Sequence, residues 1–203
     1  MSTVTCQLSV SLDGYVAGPH QTRQEPLGTR GEELHTWHLG ASDHEADRAM
    51  TERILAPRGA FVMGRNMYSP VRGEWWDASG GEMWRGWWGD DPPYHCPVFV
   101  LTHHPHESVE MEGGTTFHFV TGFDEAMERA FEAAGEDTVT IAGGASAVRQ
   151  GFEAGVVDEI LLTHVPILLG DGESPFAGLD DLELLPVEVH SSPLVTHVVY
   201  ARS

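Results

Sequence analysis

Apolar and polar residues alternate from Val4 to Val10, the period of a half-buried strand, and the alternation breaks at Asp13-Gly14, a turn pair. Residues 18–42, rich in Gly, Pro and charge, read as a long surface loop of the kind that covers a site. "SDHEADRAMTERILA" places Ala46, Ala49, Met50 and Ile54 on one helical face, with Ser42 or Asp43 as cap and Pro57 beyond its end. Short apolar strands follow in "GAFVMGR", "CPVFVLTH" and "TTFHFV". The stripe Phe123, Met127, Ala130 and Phe131 predicts a helix that stops at Gly135. "DTVTIAGG" is a strand running straight into a second helix, "ASAVRQGFEAG", closed by Gly155. "VDEILLTHVPILLG" is the next strand, and "LELLPVEVHS" and "LVTHVVYARS" form a terminal hairpin turning at Pro193.

Strands alternating with helices imply right-handed crossovers, hence an α/β fold: a doubly wound, mainly parallel sheet with helices on both faces and a C-terminal antiparallel hairpin. The 203 residues suit one domain, 1–203, and nothing repeats internally. Ligands of such sheets sit beyond the carboxyl ends of the strands, and three strands here end in "MGRN", "LTHH" and "IAGGAS". A helix start offers unpaired N–H groups and partial positive charge, and glycines let a phosphate oxygen come close. Gly143, Gly144, Ala145 and Ser146 therefore suit a diphosphate, although tight strand-to-helix packing explains such glycine pairs equally.

The formal charge of −20 sets the chain against nucleic acid and anionic membrane surfaces. No apolar run reaches the length of a membrane span and the start lacks a signal-peptide pattern, so a cytoplasmic address is expected. All eleven basic residues are Arg, which removes Schiff-base chemistry and a phosphate-loop lysine from consideration. Cys6 and Cys96 suit buried thiols better than a disulfide framework or a zinc site.

The segments "SLDGYVAG", "VMGRNMYSP", "PVFVLTH", "IAGGASAVRQGFEAGVVDEILLTHVPILLGDG" and "VTHVVY", in this order, resemble the dihydrofolate reductase-like family that includes the reductase domain of bacterial riboflavin biosynthesis. The likeness spans nearly the whole chain. It implies a reductase binding NADPH, a small-molecule substrate and a homodimer. By the same resemblance Gly64, Arg65 and Asn66 lie along the cofactor, with Arg65 toward the adenosine 2′-phosphate. Thr102 and His103 flank the adenosine, Gly143, Gly144, Ala145, Ser146 and Ala147 hold the diphosphate, and Val16 and Ala17 approach the nicotinamide. A guanidinium suits a phosphate through paired hydrogen bonds, and a surface ion pair is the plainer role for Arg65.

Folate reductases of this fold carry a carboxylate on the helix before the "MGR" strand; the spacing lands here on Arg48, with Glu45, Asp47 and Glu52 nearby. Dihydrofolate is therefore not the expected substrate, and a small planar heterocycle or carbonyl compound takes its place. The catalytic candidates are Asp13, Asp47 and Thr163, Thr163 matching the family threonine that faces substrate. Asp13 beside Gly14 also suits a turn.

The Trp-rich insertion at about 71–95 holds Trp75, Trp76, Trp84, Trp87 and Trp88; Trp75 and Trp76 are candidates for stacking on substrate. A water-excluding lid and a subunit interface suit it equally. His35, His38 and His44 invite a metal, but no established ligand spacing accompanies them, and no metal is expected. The rival to a reductase is a binding protein that keeps the fold and sequesters an aromatic ligand without turnover.

Overall fold

The computed structural model describes residues 2–38, 43–69 and 85–203. Its strands are β1 (Val4–Ser11), β2 (Ala60–Gly64), β3 (Pro97–Leu101), β4 (Val109–Glu110), β5 (Thr116–Val120), β6 (Val139–Gly143), β7 (Glu159–Val165), β8 (Leu184–Ser191) and β9 (Thr196–Arg202). Its helices are α1 (Glu45–Ile54), α2 (Arg65–Tyr68), α3 (Phe123–Ala134) and α4 (Ala145–Glu153). The strands form one sheet in the order β4-β5-β3-β2-β6-β1-β7-β9-β8. The six from β5 to β7 are parallel, while β4, β9 and β8 run antiparallel to their neighbours. This is the expected mainly parallel α/β sheet with its C-terminal hairpin.

Strands buried on both faces read as continuous apolar runs, and β7 shows why. Its Ile160 and Leu162 join Val4, Val62, Ile141 and the apolar sides of α3 and α4 on one face. Its Leu161 and Val165 pack on the other face against Leu34, Trp37, Met50 and Val199. Further along that second face, Phe61, Met63, Val98 and Phe117 pack with Tyr68 of α2 and with Tyr94 and Cys96, on the return leg of the insertion. Both cysteines are free and buried; burial raises both thiols, Cys96 to about 11 and Cys6 further.

Three local expectations need correction. The cap of α1 is His44, whose Nδ1 accepts from the Ala46 N–H at 3.3 Å, rather than Ser42 or Asp43. Its inward residues are Asp47 and Met50, and Ala49 is exposed, because Asp47 finds a polar partner inside. Nor is the segment after β1 only a surface loop: a 3-10 turn at Gly31–His35 carries Leu34, at 0 %, and Trp37, at 2 % exposure, onto the sheet. No helix among the described residues is long and apolar enough to cross a membrane.

Candidate functional site

Because β3, β2 and β6 are adjacent and parallel, their carboxyl ends open together, and a cleft of 470 Å3 lies across them. That size is in the usual range for a cofactor or substrate site. All twelve residues connected above with a dinucleotide line it: Val16, Ala17, Gly64, Arg65, Asn66, Thr102, His103 and the run Gly143 to Ala147.

The glycine tip has a steric reason. Gly143 and Gly144 adopt φ 147° and 83°, backbone that side-chain-bearing residues avoid. A Cβ at Gly144 would stand 3.2 Å from Gly64 Cα and 3.3 Å from Gly64 N, so β6 and β2 end almost in contact. The first helical bond of α4 runs from Val148 N–H to the Gly144 carbonyl. The N–H groups of Ala145, Ser146 and Ala147 precede it, pointing out of the helix end toward the cleft. The tip is a close-packed junction, and the helix start beside it presents N–H groups of the kind that suit an anion.

Beside the tip, Arg65 opens α2 from the last residue of β2. Thr102 is buried, its N–H bound to the Val120 carbonyl and its hydroxyl accepting from His104 N–H at 2.9 Å, which turns the chain after β3; His103 is exposed. The opposite wall is the loop after β1. Val16 N–H donates to the Glu173 carbonyl at 2.9 Å and Glu173 N–H to the Ala17 carbonyl at 3.0 Å, so the loops after β1 and β7 are zipped together.

Of the catalytic candidates, Asp13 belongs to that zipper. Its carboxylate accepts from Ser11 Oγ at 2.6 Å, Gly170 N at 2.7 Å and Leu169 N at 3.1 Å, and these bonds, Ser11's first, hold it down at about 2. A carboxylate held this way keeps its charge and does not shuttle protons. Asp47 and Thr163 are not on the cleft either. Both are 1 % exposed and joined through His197, at 0 %: Asp47 Oδ1 lies 2.9 Å from His197 Nε2, and His197 Nδ1 lies 2.8 Å from Thr163 Oγ1. Burial pushes His197 below its ordinary value even with the Asp47 carboxylate opposing. The neutral imidazole then gives its Nε2–H to Asp47 and accepts the Thr163 hydroxyl hydrogen at Nδ1.

The sequence reading missed the polar groups that do reach the cleft from β1 and the loop: Gln7, Ser9, Gln21 and His35. Ser9 Oγ accepts the indole N–H of Trp37 at 3.0 Å. His35 Nδ1 lies 3.3 Å from His38 Nε2, and burial, followed by His38, lowers His35 to about 4. Alternation along β1 puts Gln7 and Ser9 on one face; nothing local marks that face as a site. No cluster of three metal-ligating side chains occurs among the described residues. Trp75 and Trp76 lie outside the described residues. The insertion's return leg approaches the site through Trp87, whose Nε1–H donates to the carbonyl of Met67, a cleft residue, at 3.0 Å.

The family model of the RibD C-terminal domain matches residues 2–199. Among solved structures, the chain is similar to a protein assigned to riboflavin biosynthesis from Shewanella sp. PV-4, with TM-score 0.64, 21% identity and 99% of each chain covered. It is also similar to a diaminohydroxyphosphoribosylaminopyrimidine deaminase/5-amino-6-(5-phosphoribosylamino)uracil reductase from Thermotoga maritima, with TM-score 0.59 and 15% identity. That match takes in 100% of this chain and 57% of the Thermotoga chain. No curated protein matches the chain.

Proposed function

Since the chain belongs to the RibD C-terminal domain family, we propose that it is an NADPH-dependent reductase acting on a small planar heterocyclic or carbonyl compound other than dihydrofolate. The observation that carries this reading is that residues from four separate stretches of sequence meet in one cleft, around a glycine tip packed so closely on β2 that a Cβ at Gly144 would press on the Gly64 backbone. The residues fit the dinucleotide. The N–H groups from Ala145 to Ala147 take the diphosphate, Arg65 takes the 2′-phosphate, Thr102 and His103 border the adenosine, and Val16 and Ala17 border the nicotinamide. Bound NADPH supplies the hydride. The protein's part is to hold substrate against the ring and keep bulk water away, since orientation alone accounts for a large share of such a barrier.

A second reading is favoured by one observation: Asp13 and Asp47 are both committed to internal hydrogen bonds, so neither serves as an acid in the cleft. A binding protein needs no such acid. Titrating the purified chain with NADPH and NADH, following tryptophan quenching and nicotinamide emission, tests the cofactor half. We expect micromolar binding with NADPH preferred, and Arg65→Ala to weaken NADPH about tenfold or more while leaving NADH nearly unchanged, as loss of a charge-assisted bond of 1.5–3 kcal/mol requires. Equal affinity of the variant for both nucleotides and of the parent for both rejects the site. Turnover of bound NADPH by carbonyl and heteroaromatic compounds separates reductase from binder.

A further inference from the structure

The strongest unexplained polar arrangement lies at the end of the cleft away from Arg65, and its reading rests on the reductase proposed above. Ser9 is half-buried and lines the cleft. Its oxygen accepts from Trp37, a donor that cannot accept, and Trp37 is itself held at 2 % exposure, its ring 4.8 Å from that of His197. The indole therefore takes one lone pair of Ser9 and turns the hydroxyl hydrogen away from itself. No hydrogen bond donated by Ser9 occurs among the described residues, and Ser9 lines the cleft.

The neighbouring hydroxyl is differently committed. Ser9 pairs in register with Thr163, and Thr163 with His197, so all three stand in one row across β1, β7 and β9. Paired residues of neighbouring strands share a sheet face at a spacing of about 4.8 Å. With its imidazole neutral, His197 takes the Thr163 hydrogen at Nδ1, and its ring is fixed by Asp47. The threonine that the family resemblance assigned to the substrate thus has no proton to offer, whereas the serine one strand nearer the cleft does.

We propose that Ser9 is the catalytic proton donor of the reduction, and that Trp37 is the positioning residue that aims it. The substrate presents a C=O or C=N group with its heteroatom on the Ser9 hydroxyl. As hydride from the dihydronicotinamide bonds to the carbon, the π pair moves to the heteroatom, which takes the Ser9 proton. The Ser9 oxygen recovers a proton from water in the cleft. One NADPH and one solvent proton are consumed for each C=O or C=N reduced, and NADP+ is left.

The test uses the full chain, NADPH and 9,10-phenanthrenequinone, a planar diketone, as probe, with Ser9→Ala, Ser9→Thr, Trp37→Phe and the double variant Ser9→Ala/Trp37→Phe. The double variant removes donor and acceptor together, so it reports on Ser9 even where the buried indole of Ser9→Ala unsettles the fold. All four are expected to bind NADPH within about threefold of the parent, which keeps the cofactor site separate from the proton site. Loss of general-acid assistance is worth about a hundredfold or more in kcat. Ser9→Ala and the double variant should lose that much with KM little changed, Ser9→Thr should recover most of it, and Trp37→Phe should fall between. The carbonyl stretch of the probe bound beside NADP+ should move to lower frequency in the parent and back in Ser9→Ala. A parent that binds no NADPH overturns the reductase and this step together. With NADPH bound, undiminished kcat without the serine, an unshifted stretch, or failure of the probe to bind overturns the assignment of Ser9 alone.

Discussion

Replacing Gly144 by Val should abolish the dinucleotide site while the fold survives. The backbone at Gly144 has φ 83° and ψ 113°, and a residue held in such a region costs about 1–3 kcal/mol. Sterics add to this, since the new Cβ would lie 3.2 and 3.3 Å from backbone atoms of Gly64. Gly64 has little room to yield, being paired in register with Leu101 of β3. The tip must therefore open or rotate, carrying the N–H groups of Ala145 to Ala147 off their common target. Losing even about 2 kcal/mol of anion binding corresponds to roughly thirtyfold in Kd. The companion change Ser146→Ala removes only a hydroxyl, one approached at 3.4 Å by Gln150 Nε2, and keeps the N–H. If backbone amides do the gripping, it should alter Kd by less than about threefold. Both variants would be titrated with NADPH by tryptophan quenching, with a thermal melt to confirm folding. A folded Gly144→Val that binds NADPH like the parent, or a Ser146→Ala that loses binding as Gly144→Val does, refutes the backbone cradle.

Three further outcomes follow from other parts of the structure. His35 is lowered from 6.5 to about 4, so the unfolded chain binds its proton first; stability from this group is complete above pH 6.5 and is lost as pH falls toward 4, by at most about 3 kcal/mol. His35→Gln should flatten the urea midpoint across that window, and an unaltered slope would count against a buried neutral imidazole. Asp47→Ala strands the His197 N–H in the interior and should cost about 1–3 kcal/mol in urea unfolding, whereas a loss below about 0.5 kcal/mol would show that water replaces the carboxylate. Edge strand β8 exposes Leu185 at 57 %, Val187 at 56 % and Val189 at 63 %, an apolar edge interrupted by Pro186 and by the register shift between Pro186 and Glu188. We expect a homodimer across it; light scattering should give a dimer mass for the parent and a monomer mass for Leu185→Glu/Val189→Glu.

What the sequence revealed and what it concealed divide along a physical line. The strands, α3 and α4 carry periodic apolar patterns several residues long, and the glycine turn after β6 is a local steric necessity at Gly144. Both kinds of signal are visible without a partner. Single residues committed to distant partners leave no such trace. Trp37 and Leu34 are isolated apolar positions in a segment of Gly, Pro and charge, so no period announces that they plug the sheet. Asp47 displaced Ala49 from the inner face of α1 because His197, 150 residues away, donates a hydrogen bond to it there. Short α2 and the two-residue β4 fall below the length at which a pattern can be recognised.

The same line runs through the cleft. Its glycine-tip side is made of strand ends and backbone amides, placed by β2, β3 and β6 lying next to one another; motif order in the chain therefore carries the arrangement. Its far end is made of side chains whose state depends on contacts across the fold. Ser9 is oriented by a tryptophan 28 residues on, and Thr163 is occupied by a histidine 34 residues on. The threonine singled out from the sequence is thus bonded into the interior, while the serine next to it in register, which no local pattern marks, lines the cleft with its oxygen held by an indole. Chemistry at this end is decided by which hydrogen-bond capacity remains after the interior has been satisfied, and of the two hydroxyls in the row, Thr163 is bonded to His197 while the Ser9 hydroxyl donates to no described residue.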